Sequence, residues 1–139
     1  MGSQVVGGAF GAVIANLMFG EAAVTWSSHH RATGAHFLGE IVATFGLVVV
    51  VFGVVRSGRA AAVPYAVAAY IASAYWFTSS TSFANPAVTL ARTLSNSFAG
   101  IAPSSAPAFI AAQLSGGALG LVCVLAIYPV KAEVGVRDE

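Results

Sequence analysis

Apolar residues fall in four runs along the 139-residue chain, at 4–19, 37–55, 63–77 and 108–128, separated by stretches rich in Gly, Ser, Thr, His and Arg. A helix that crosses a bilayer needs about 20 mostly apolar residues, so each run predicts a transmembrane helix. The third run is short, and the Ser- and Thr-rich continuation to Ser82 is expected to complete it. The connection at 78–107 begins polar and then turns helical. Asn85 is a good N-cap, and Pro86 suits a first helical position, where its missing N–H costs nothing. From 86 to 96, Val88, Leu90, Ala91 and Leu94 form an apolar stripe. That helix is too short to span. A short capped helix between two full spans predicts a re-entrant segment, tolerated only where protein or water surrounds it.

Composition agrees with this pattern. The chain is 58% hydrophobic and 8% charged, with a mean hydropathy of +0.83, whereas a soluble domain carries about a quarter charged residues. The expected class is an all-α integral membrane protein whose first partner is the lipid bilayer. A net charge of +1 gives no basis for binding nucleic acid. The single cysteine, Cys123, cannot build a disulfide framework or a metal cluster. Met1 is followed by no basic segment, so no cleavable signal peptide is expected.

Cations set the expected topology. Arg56 and Arg59 lie between the second and third runs, and Lys131 and Arg137 follow the fourth. Positive residues favour the cytoplasmic side, so 129–139 is expected to be a cytoplasmic tail of a multi-pass protein. The loop at 20–36 and the re-entrant segment then open to the outside, with Arg31 and Arg92 as the exceptions. His29, His30 and His36 share that loop with Ser27, Ser28 and Arg31 but with no cysteine or carboxylate partner, so a solvated loop is expected, with no metal and no cofactor. No Ser/His/Asp set, carboxylate pair or metal-ligand spacing lies inside the runs, and an enzyme is not expected.

The first and last runs share a pattern. Gln4, Gly7, Gly8, Ala9 and Gly11 recur as Gln113, Gly116, Gly117, Ala118 and Gly120, at one offset (113 − 4 = 120 − 11 = 109). Small residues at these spacings let helices approach closely. The offset reads as a structural repeat: 4–19 as the last helix of a first repeat, and 37–128 as a second repeat containing the half-helix at 86–96. Three spans per repeat would invert it in the membrane.

The run Ser82-Phe83-Ala84-Asn85-Pro86-Ala87-Val88-Thr89-Leu90 resembles the Asn-Pro-Ala loop of the aquaporin and aquaglyceroporin (major intrinsic protein) family. Gly39-Glu40-Ile41-Val42-Ala43-Thr44-Phe45 and Ala112-Gln113-Leu114-Ser115-Gly116-Gly117 resemble its flanking patterns. The resemblance implies an aquaporin-like bundle, N-terminally truncated, with about four transmembrane helices and one re-entrant half-helix. It implies a plasma-membrane channel, tetrameric like most of the family, that passes water and small neutral solutes past Asn85, Pro86 and Ala87. The half-helix would aim its unpaired N–H groups and positive dipole end at the membrane midplane, repelling cations.

Most members carry arginine directly after this motif, where this chain has Val88. The alternative is that the arginine has moved, with Arg92 as the candidate. But Arg92, four residues on, is expected about one helical turn deeper, pointing away from the same level of the lumen. Without that arginine the filter is wider and more apolar, which favours glycerol, urea or uncharged metalloid hydroxides such as arsenous acid, the neutral form of arsenite. Ser73, Tyr75, Ser82 and Phe83 are the other filter candidates. Glu40, an ionisable group within an apolar run, is a functional or hydrogen-bonded residue on physical grounds. The resemblance makes it a structural acceptor for the re-entrant loop, and the alternative is a proton carrier in an ion-coupled transporter. Gln113 and Trp76 read as packing or interface groups. A pore of this family needs two opposed half-helices and the chain has one such motif, so a truncated or split chain, inactive alone, is a further expectation.

Overall fold

The computed structural model describes residues 2–128; the expected tail at 129–139, with Lys131 and Arg137, lies outside the described residues. Five α-helices are present, with no strand among the described residues: α1 (Gly2–Met18), α2 (Gly34–Arg56), α3 (Val63–Phe77), α4 (Pro86–Arg92) and α5 (Ala106–Ile127). Three stretches are long and apolar enough to cross a membrane: Gly34–Arg56, Ala60–Phe77 and Pro103–Ile127. The first predicted span, α1, is apolar but has 17 residues, about 26 Å at 1.5 Å per residue.

Two predicted boundaries move, each for a reason visible in the hydroxyl side chains. The third span is completed at its start, by a 3₁₀ turn at Ala60–Ala62, and not by 78–82. Thr78 is extended (φ −102°, ψ 141°), and its Oγ1 donates to the Ala74 carbonyl at 2.7 Å, which closes the helix. The half-helix ends at Arg92 and not at 96. Thr93 Oγ1 donates to Leu90 O at 2.7 Å, and the carbonyls of Thr93 and Leu94 accept from Ser27 N and Thr25 N in place of helical amides.

Helices α2 and α5 lie side by side along their length. They run parallel: Arg31 and Ser105, just before each, are hydrogen-bonded at 3.1 Å, and at the far end Arg56 donates to Tyr128 O at 3.1 Å. Glycine makes this contact possible. A Cβ on Gly116 would collide with the Ile41 carbonyl, and one on Gly120 would come within 2.9 Å of Phe45 O. The core is correspondingly made mostly of small residues, including Ala43, Ala74, Ala87 and Ala112, with Phe83, Ile101, Phe109 and Val124 as its larger members. Large apolar side chains such as Val6, Phe10, Trp76 and Leu114 face outward, as a lipid solvent permits. The loops at 19–33, 78–85 and 93–105 gather at one end of the bundle, joined by Thr25 N to Leu94 O, Ala102 N to His29 O and Arg31 Nη1 to Ser80 O.

Candidate functional site

The stretch before α4 is held in a conformation its residues do not choose. Thr81, Ser82 and Ala84 have φ of 63°, 53° and 48°, a left-handed region costing L-residues about 1–2 kcal/mol each. Glu40 supplies the compensation. It is fully buried in α2, and its two carboxylate oxygens accept from Phe83 N and Ala84 N, each at 2.9 Å. The loop thus delivers Asn85 to the start of α4 in extended geometry. Asn85 Oδ1 accepts from Ala87 N at 2.8 Å, and Asn85 O accepts from Thr89 Oγ1 at 3.0 Å.

Gln113, in the middle of α5, ties these parts together. Its Nε2 donates to Glu40 Oε2 at 2.6 Å and to Thr89 Oγ1 at 2.8 Å. Its amide orientation follows from the neighbours: the carboxylate accepts, and the Thr89 hydroxyl hydrogen is engaged with Asn85 O. Reading Gln113 as a packing group therefore missed its role. The available signal was a glutamine deep in an otherwise apolar helix, where an amide must find partners.

A cavity of about 950 Å³ runs between α1 and α4. Asn85, Ala87 and Val88 line it from α4, and Gly8, Ala12 and Asn16 are among the residues lining it from α1. The helices meet closely there: a Cβ on Gly8 would sit 3.0 Å from Ala91 Cβ. Asn85 Oδ1 is occupied by its cap bond, so the side-chain NH₂ is the group left to face this space. Arg92 lines the same cavity, contrary to the expectation that it points away. The spacing explains this, since 85, 88 and 92 differ by three and four residues and share one helical face.

The other filter candidates lie elsewhere. Phe83 packs with Ile101 and Phe109 in a buried cluster that Val88 also touches, its ring 5.3 Å from that of Phe109. Ser82 is buried with its N–H donated to Ser80 Oγ at 3.2 Å. Ser73 Oγ donates to Ala69 O within α3 at 2.8 Å, and Tyr75 stacks edge-on against Trp76. Of the predicted filter set, only Val88 shares the cavity with Asn85, Pro86 lying at the helix start between them.

Arg31, expected only as a topological exception, is a buried staple. Its guanidinium donates to Gly100 O (2.8 Å), Phe98 O (2.6 Å) and Ser80 O (3.3 Å), and its carbon lies 5.7 Å above the Phe83 ring. Burial pulls its pKa below the ordinary value, opposed by the nearby Tyr75. Among the described residues no three His, Cys, Asp or Glu side chains gather as a metal site. Thr33 caps α2, its Oγ1 accepting from His36 N at 3.3 Å and lying 2.8 Å from His36 Nδ1, and His30 Nδ1 lies 3.5 Å from Ser104 Oγ.

The chain is 47% identical over 125 residues to aquaglyceroporin AqpS of Rhizobium meliloti (strain 1021); the match covers 90% of this chain and 52% of the relative. The chain thus spans about half the length of that relative. No protein-family model and no solved structure matches it.

Proposed function

The chain belongs to the aquaporin and aquaglyceroporin family, and on that premise we propose that it forms part of a membrane channel, and not an enzyme, that passes water and small neutral solutes along the cavity between α1 and α4. The observation that carries this reading is the position of Asn85. Its oxygen is committed to the Ala87 amide, and its NH₂ is left to a cavity of about 950 Å³. A solute hydroxyl or water there meets a fixed donor at the positive end of a helix. Apolar Val88 beside it supports solutes larger than water, with glycerol first and urea and neutral arsenous acid after it.

A proton-coupled transporter is disfavoured by Glu40. Its oxygens accept from Phe83, Ala84 and Gln113, it is fully buried, and it does not line the cavity. A second reading, that this stretch conducts only together with further sequence, is favoured by its match to 52% of the relative. We place the protein in the plasma membrane as a homo-oligomer, tetrameric by family resemblance. Arg56 and Arg59 direct the ends of α2 and α5 to the cytoplasmic side.

Stopped-flow light scattering on proteoliposomes, with water and glycerol gradients, tests the reading. Flux above empty liposomes, insensitive to a proton gradient and lost in Asn85→Asp, is the expected result. Well-inserted protein with no flux would favour the second reading.

A further inference from the structure

Four arginines lie among the described residues; two donate to carbonyls, and Arg59 is exposed in the turn between α2 and α3. Arg31 donates to three carbonyls, and Arg56 to Tyr128 O. Arg92 is different. Among the described residues its guanidinium donates to no side chain or carbonyl, and it lines the cavity that Asn85 and Val88 also line. It is half-buried at the end of α4, one turn beyond Val88 on the same face. A cation with five donors and no internal acceptor is directed at whatever occupies that space.

We propose that Arg92 is the charge-selecting residue of this cavity, supplying beyond apolar Val88 the fixed positive charge that excludes cationic solutes and draws in solutes presenting oxygen acceptors. The proposal rests on reading the cavity as part of a solute path. Clefts with low-dielectric walls focus the field of a fixed charge. Glu21 also lines the cavity, from the loop after α1, and carries the opposite charge. It is exposed, whereas Arg92 is half-buried. Solvent therefore screens Glu21 more strongly, and the field at Val88 follows Arg92. A purely structural role, a cation compensating the carbonyl end of α4, would leave that field unimportant to solutes.

The test needs no conduction. In the full chain carrying Cys123→Ser and Val88→Cys, in detergent micelles, the reaction rates of an anionic and a cationic methanethiosulfonate report the potential at position 88. Replacing Arg92 by Leu should lower the anionic-to-cationic rate ratio roughly tenfold, from the Coulomb interaction at about one helical turn in a hydrated cavity. Arg92→Lys should retain most of the ratio, and Glu21→Gln should raise it slightly. A ratio unchanged by Arg92→Leu in folded protein would overturn the proposal. So would an introduced thiol that reacts with neither reagent, because a charge where solutes do not reach selects nothing. Flux on the same preparations separates the two readings. A charge-dependent ratio without flux would favour the second reading, that this stretch conducts only together with further sequence, and leave the assignment of Arg92 standing.

Discussion

Gln113 and Glu40, 73 residues apart, meet at 2.6 Å inside the bundle, and through Thr89 that contact reaches the backbone of Asn85. Three helices and the strained loop depend on one carboxylate. Glu40→Gln leaves a single acceptor oxygen and presents an NH₂ to groups that themselves donate. The expected destabilisation is about 3 kcal/mol, the scale for breaking a buried charged network. Thermal unfolding in detergent micelles, followed by Trp26 and Trp76 fluorescence, measures it. Combining Glu40→Gln with Gln113→Leu should cost less than the sum of the two, as expected of residues in one network; strict additivity would show that the two side chains act separately.

The glycines of the two matching Gly-Gly-Ala patterns predict unequal costs at different positions. Gly116→Ala drives a methyl into the Ile41 carbonyl, a backbone atom that cannot move aside alone, whereas a Cβ on Gly11 meets nothing within 4 Å. Gly116→Ala should therefore separate α2 from α5 and cost roughly 1–3 kcal/mol, the range for overpacking. Gly11→Ala should be neutral or slightly stabilising, because alanine is the better helix former by about 1 kcal/mol. Equal melting temperatures for the two variants would contradict the tight α2–α5 contact.

Those two sites also mark what the sequence made legible. The Gln-x-x-Gly-Gly-Ala-x-Gly pattern announced the close helix approach at Gly8, Gly116 and Gly120, though not at Gly7 and Gly11, which meet nothing, and the apolar runs located the long helices within a few residues. Asn85 with Pro86 announced the half-helix start because capping chemistry is local. What the sequence hid were contacts set by distant partners. Arg31 lies 49 residues from Ser80 and 69 from Gly100, and nothing in its neighbours suggests three carbonyls. Phe83, two residues before Asn85, looked like a filter residue, yet the left-handed backbone at Ser82 and Ala84 places it in the cluster with Ile101 and Phe109. The end of α4 was misjudged because loop amides from Thr25 and Ser27 take the carbonyls that would have continued it.

Arg31 predicts a failure of conservative replacement. Its planar fork serves Gly100, Phe98 and Ser80 at once, a geometry that a lysine ammonium cannot reproduce. Arg31→Lys and Arg31→Leu should both loosen the loops, with faster hydrogen exchange at Gly100, whose amide is otherwise held by Ser97 O at 2.8 Å. Exchange in the middle of α5 should stay unchanged, because local opening does not require the bundle to unfold. Full protection at Gly100 in Arg31→Lys would mean that charge alone, without the fork, secures the loops.

Asn85 allows capping and solute contact to be separated by two substitutions. Aspartate keeps an oxygen for the Ala87 amide, so Asn85→Asp should unfold within about 0.5 kcal/mol of the parent, because Asn and Asp are near-equal caps. Alanine loses the cap and should cost about 1 kcal/mol. Both variants remove the NH₂ that faces the cavity, and both should lose glycerol flux. Their stabilities should differ while their transport defects agree. The informative measurement is therefore a melting temperature and a flux on the same preparation. If Asn85→Asp kept wild-type flux, the donor would have no part in conduction, and Asn85 would serve only to start α4.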